Sequence, residues 1–290
     1  MPLTLEKLVT KYGKYLMITP TVIVYTLFLI IPTATLILLS FNTGERYAFD
    51  LSAVTFENYV KVLSRPTFYE IMIDTFGMAL LTAFITFVVV YPAAYYLAFK
   101  IENVRLQGII LFLLLAMYWI DWNIRSIAWL PILGEQGIVN QLLMSSGIIE
   151  QPLKILFSRL ALIIIWVQTN LLFMLFPTYL SLSRINPDLI YTAKALGASP
   201  WKAFWHITFR LSLSGVTVGL VFVFVSTLGD YATPSLWAGG LQTLGLTVHH
   251  YASFFRWPLA ATYATIMLVI SLILLSLILR ISNIKRIFYE

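Results

Sequence analysis

Six apolar runs, each of about 18 to 25 residues, recur along a chain of 290 residues, at 15–39, 75–99, 106–128, 160–182, 211–228 and 259–279. A helix needs about 20 such residues to cross the hydrocarbon core of a bilayer, so each run is long enough to span it. The expected fold class is all-α: a polytopic membrane protein with six transmembrane helices, forming a single domain over residues 1–290. Composition supports this, because 60% hydrophobic and 11% charged residues leave too little polar surface for a soluble domain.

The first run follows Lys7, Lys11 and Lys14, exceeds a signal-peptide core and lacks a small-x-small cleavage site after it. It therefore reads as a retained helix, with Pro20 and Pro32 as candidate kinks. Counting about 20 residues from Leu106 carries the third helix past Asp121 to Arg125, which places those charges near its outer end. Gln168, Asn170 and Pro177 interrupt the fourth run. Polar side chains there face neighbouring helices or a water-filled path, and hydrogen bonding between helices is the favoured reading. Ser212, Ser214, Gly215 and Gly219 suit close packing of the fifth.

Six spans put both termini on one side. With the turn at 100–105 and the loop at 184–210, that side holds 12 of the 19 Lys and Arg residues but 4 of the 13 acidic ones. The positive-inside rule assigns it to the cytoplasm. The net charge of +6 is thus a matter of topology and does not imply a nucleic-acid partner.

The loop at 184–210 is the longest polar interruption in the second half. Asn186 reads as the cap of a helix starting at Pro187, with Asp188 beside the positive end of its dipole and Gly197 as a left-handed stop. Ser199 and Pro200 repeat the cap-and-proline start. Trp201, Phe204, Trp205 and Phe209 then recur at amphipathic spacing, so two short helices are expected to meet at Gly197.

Zero cysteines exclude disulfides and thiolate metal sites, and the three histidines are poorly placed for a metal: His206 lies on the cytoplasmic loop, while His249 and His250 are adjacent and point apart. No G-x-x-x-x-G-K-[ST] phosphate loop is present, so the chain has no means of its own to use a nucleotide.

The pattern A-x-x-x-G from Ala193 to Gly197, followed by an amphipathic helix, resembles the EAA loop of ABC-importer permeases, the segment that docks into a groove on the ATPase subunit. Tyr191, Ala193, Lys194, Leu196, Gly197, Ala198 and Trp201 are the coupling-loop residues that this resemblance implies. Two positions depart from the motif: Tyr191 stands where the family has an acid and Arg210 where it usually has proline. Trp119 to Trp129 (WIDWNIRSIAW), Leu133-Gly134 with Gly137 and Asn140, Leu228 to Gly240 (LGDYATPSLWAGG), Phe56-Glu57-Asn58-Tyr59 and Trp257-Pro258-Leu259 resemble the spermidine/putrescine branch.

The resemblance implies a type I ABC-importer permease fold in the inner membrane, with both termini cytoplasmic. It also implies a second permease subunit, two ATPase subunits and an extracytoplasmic solute-binding protein, with ATP–Mg bound by the ATPases and no cofactor in this chain. Sulfate-type and sugar-type permeases share the loop, so the motif does not choose the solute, and an amino-acid derivative or an opine is an alternative cargo. A secondary transporter would carry ionisable residues at midspan and often ten or more spans, neither of which is seen here. A passive channel or structural membrane protein remains the alternative without a motor, since it needs no coupling loop.

For a cationic solute, the candidate path residues are Trp119, Asp121, Trp122, Asp230 and Tyr231. A carboxylate beside aromatic faces is suited to hold an ammonium group as it loses water. Each aspartate has a simpler reading: Asp121 pairs with Arg125 one turn on, and Asp230 accepts backbone hydrogen bonds in a turn after Gly229.

Overall fold

The computed structural model describes residues 17–43 and 54–281. The lysines at 7, 11 and 14, the first two residues of the 15–39 run, and Lys285 and Arg286 lie outside that range. Among the described residues five helices are long and apolar enough to cross a bilayer, and a bent pair makes a sixth if counted as one span.

Two compact units emerge, the first comprising Met1–Arg65 and Val248–Ile266. Helix α1 (Met17–Ser40) widens to a π-helical turn at Thr26–Ile30, ahead of Pro32. Proline removes one N–H and crowds the carbonyl four residues back, and the wider turn relieves both. The C-terminal carbonyls of α1 are met by side chains. Asn58 at the start of α2 (Glu57–Leu63) donates Nδ2 to the carbonyls of Ser40 and Asn42 at 3.2 and 2.8 Å, and Thr262 donates Oγ1 to Ser40 O at 3.2 Å. Phe56-Glu57-Asn58-Tyr59 is therefore partly a device that ends the first span.

The second unit, Pro66–Thr247 with Met267–Glu290, is built around α3 (Pro66–Phe99), whose 34 residues reach about 51 Å. This helix starts well before the expected span at 75–99. Its extra turns carry Glu70 and Asp74, and the latter pairs with Arg159 at 2.6 Å.

The next helix, α4 (Val104–Ala116), is capped by Asn103 Oδ1, which accepts from the backbone of Arg105 and Leu106. The expected continuous span at 106–128 is not found. After a 3-10 turn at Met117–Trp119 the chain extends at Ile120, then restarts as α5 (Trp122–Ile127), and the two arms are bent by 93°. Asp121 causes the restart: its carboxylate accepts the Asn123 N–H at 2.8 Å, so the residue counted as part of a span begins a new helix.

Short helices α6 (Leu130–Leu133) and α7 (Ile138–Ser145) follow. A Cβ at Gly137 would lie 2.7 Å from Ile132 O, and Asn140, fully buried, bonds Gly134 O and both backbone groups of Leu153. That explains the Leu133-Gly134, Gly137 and Asn140 pattern as a tight loop knot.

Helix α8 (Arg159–Ser183) packs against α3 and against α10, a helix that runs unbroken from Pro200 to Gly229. The contact is close. A Cβ at Gly215 would sit 2.2 Å from Pro177 O, and one at Gly219 2.5 Å from Met174 Sδ. Tyr91 Oη and Ser212 Oγ stand 3.0 Å apart, as do Ser181 and Ser214 hydroxyls at 3.1 Å, so the small residues of the fifth span do what packing in a bilayer asks of them. Asn170, by contrast, donates to Trp166 O of its own helix, and its Oδ1 and Gln168 Oε1 accept nothing among the described residues. The remaining helices are α9 (Pro187–Ala195), α11 (Ala232–Trp237), α12 (Leu244–Ser253) and α13 (Trp257–Ile281).

Candidate functional site

The polar loop forms as its caps dictate. Asn186 Oδ1 accepts the Asp188 N–H at 2.9 Å, and Pro187 takes the first helical position of α9. At the other end Ala198 N–H bonds Ala193 O and Gly197 N–H bonds Lys194 O, both at 3.0 Å, with Gly197 at φ +89°. These are the paired bonds of a left-handed helix stop, with the backbone carbonyl of Ala193 accepting one of them.

Ser199 Oγ then accepts from Lys202 N–H at 3.3 Å and starts α10. The expected second short helix is not separate. A π-helical stretch at Phe204–Phe209 carries α10 into the fifth span, so the second half of the loop is continuous with a membrane-spanning helix. Trp205 and Phe209 rings meet at 4.7 Å, and Phe204 packs edge-on against Tyr91 and Tyr95 of α3.

Tyr191, Leu196 and Trp201 are 65%, 84% and 68% exposed, and Lys194 is exposed beside them. A shallow groove of about 260 Å³ runs between α9 and α10, lined by Ala193, Ala198, Lys202, Ala203, His206 and Ile207. Large apolar side chains held outward near a groove lined half by alanine and half by Lys202, His206 and Ile207 suit a protein partner.

Toward the other end of the second unit, the path residues separate into two roles. Trp119 and Asp121 are exposed at the bend, and Trp122 is half-buried. Arg125 does not pair with Asp121; its guanidinium carbon lies 4.1 Å from the centroid of the Tyr118 ring. Asp230 is half-buried and fully engaged. Its Oδ1 accepts the N–H groups of Ala232 and Thr233 at 3.0 and 3.1 Å, capping α11, and its Oδ2 accepts Trp166 Nε1–H at 2.7 Å. Tyr231 beside it is 44% exposed.

Trp237, buried against Trp166, donates to Ser126 Oγ at 2.6 Å and so ties α11 to α5. The two candidate path segments therefore adjoin. Trp166, Ser126 and Tyr118 were not selected from the sequence, because their partners lie 50 or more residues away and no local pattern marks them.

Apolar helices long enough to cross a bilayer, one of them continuous with a polar loop, define the class of multi-pass membrane proteins. Residues 16–284 match the family described as binding-protein-dependent transport system inner membrane component, and the chain belongs to that family. It is 31% identical over 252 residues to the spermidine/putrescine transport system permease protein PotB of Salmonella typhimurium (strain SL1344), covering 86% of this chain and 87% of that one. It is 30% identical to PotB of Escherichia coli (strain K12), covering 86% and 90%. Among solved structures, a bacterial ABC transporter involved in the import of the acidic polysaccharide alginate superposes with TM-score 0.70 at 17% identity, over 97% of this chain and 98% of that one, which shows a shared fold. The chain is thus a multi-pass permease subunit of an inner-membrane importer that works with a binding protein.

Proposed function

We infer that this permease carries a small polyamine or related amine inward, paired with a second permease subunit and driven by two ATPase subunits that bind ATP–Mg. The observation that carries the cargo is the identity of about 30% with two permeases named for spermidine and putrescine, sustained over 86% of the chain. Support for the motor comes from the loop: Tyr191 on α9, Leu196 at its end and Trp201 at the start of α10 stand exposed around Gly197, and α10 is continuous with the fifth span. A push on that helix then moves the span without an intervening flexible joint. The excess of Lys and Arg beside the loop supports its placement in the cytoplasm with both termini.

In this reading, ATP binding closes the ATPase pair, α9 and the start of α10 shift, and the bundle turns the path from one side to the other. Asp121, Asp230, Tyr231, Trp119 and Trp122 supply carboxylates and aromatic faces to a passing ammonium group. Isolating the cognate binding protein and identifying its bound solute by mass spectrometry tests the cargo. A polyamine or related amine supports the reading, and an anion or a sugar overturns it while leaving the family untouched.

A further inference from the structure

The bend between α4 and α5 is held by a cluster that neither the coupling loop nor the candidate path uses. Tyr118 sits in the 3-10 turn just before the bend, and its hydroxyl reaches into the middle of α8. There it lies 2.7 Å from Thr169 O and 3.3 Å from Gln168 O, to which it donates, and it accepts the Leu172 N–H at 3.2 Å. A hydroxyl inserted among the carbonyls of a helix is a recognised cause of local bending, and α8 is already weakened five residues further on by Pro177.

Arg125, on the far arm of the bend, closes over the face of the same ring. Its Nε and Nη1 are shielded from solvent and have no hydrogen-bond acceptor among the described residues, and Gln168 Oε1 is likewise shielded and unmatched. A cation with unfilled donors in a membrane protein is costly, and an aromatic face returns only part of the lost hydration. Two opposed tendencies therefore meet on one ring. The hydroxyl bonds hold the bend closed against α8, while the guanidinium regains water when the bend opens.

We propose that Tyr118 and Arg125 are positioning residues for translocation, forming a two-state clamp that sets the angle of the third span against the fourth. Its place in transport rests on the importer reading above. The clamp makes a prediction that simple packing does not: substitutions at its two members shift the bend in opposite directions. Tyr118→Phe keeps the ring under Arg125 but removes all three hydroxyl bonds, so the open arrangement gains. Arg125→Met keeps a long side chain on the ring and removes the charge that seeks water, so the closed arrangement gains.

The test uses the complete complex in nanodiscs, with spin labels on cysteines introduced at Val104 and Ile127, both exposed and on opposite arms. The chain has no native cysteine to interfere. Arms of roughly 24 and 9 Å at a right angle separate by about 7 Å more when straightened. Tyr118→Phe is expected to enlarge the long-distance population at least about fivefold and Arg125→Met to deplete it, with uptake per ATP hydrolysed falling in both. Arg125→Lys, which keeps a charge on the ring, should resemble the parent more than Arg125→Met does. Identical distance distributions in the parent and Arg125→Met, or shifts of the same sign in Phe and Met variants, overturn the clamp; if Tyr118→Phe does not assemble, the Arg125→Met and Arg125→Lys pair still decides. The distance measurement needs no cargo, so failure of putrescine uptake by the parent complex would count against the importer's proposed solute and not against the clamp.

Discussion

Replacing Gly197 separates the geometry of the loop from its contacts. A Cβ built there meets nothing within 4 Å, so a substitution is not crowded; it is penalised only because φ is +89°. For an ordinary L-residue that region costs about 1 to 2 kcal/mol, most for a β-branched side chain and least for asparagine. If ATPase docking requires α9 and α10 to meet as they do, that cost appears as weakened association, about tenfold for each 1.4 kcal/mol. Gly197→Val is then expected to bind the ATPase roughly ten- to thirtyfold more weakly, Gly197→Ala about fivefold, and Gly197→Asn close to the parent. The assay is titration of ATPase onto nanodisc-embedded permease pairs, with thermal stability of the permease alone as the control. Parental affinity in Gly197→Val would refute the assignment of this loop to docking. Equal weakening by Asn and Val would show that surface shape, not the left-handed turn, controls the contact.

A cysteine at Ser199 is expected to react with membrane-impermeant maleimide only from the cytoplasm and one at Ser146 only from outside; labelling of both from one side contradicts the orientation. Asp230→Asn keeps an oxygen for the Ala232 and Thr233 N–H groups but turns an amide toward Trp166 Nε1–H, setting donor against donor, so a stability loss of about 1 to 3 kcal/mol is expected in chemical unfolding. Trp166→Phe in the same chain removes the opposing donor and should recover part of that loss; additive losses would show that the Trp166–Asp230 bond contributes nothing.

The caps of the loop were legible because each is local: Asn186-Pro187-Asp188, Gly197 and Ser199-Pro200 act within four residues of themselves, and the structure forms each of them. Gly215 and Gly219 were legible for a different reason: their partners Pro177 and Met174 are distant in sequence, but a small residue in an apolar run has few uses besides close packing. What hydropathy hides is direction. The run at 106–128 reads as continuous because one carboxylate hardly changes its average, yet Asp121 caps a new helix and turns the chain by 93°. Ser199-Pro200 gave the opposite error. A start signal suggested a short helix, while the π-helical register at Phe204–Phe209 let that helix run on into the fifth span. At the candidate path, Asp230 carries both the carboxylate sought and the turn-capping bonds of its simpler reading, but its bond to Trp166 crosses 64 residues and leaves no local trace.

In the proposed cycle this permease moves an amine inward only when an ATPase drives it through the loop around Gly197. Uptake of radiolabelled putrescine into proteoliposomes holding the permease pair, the ATPase and the putrescine-loaded binding protein tests it most directly. Accumulation that requires ATP and is lost when the ATPase is omitted is the expected result, and accumulation that proceeds equally without the ATPase would contradict the account.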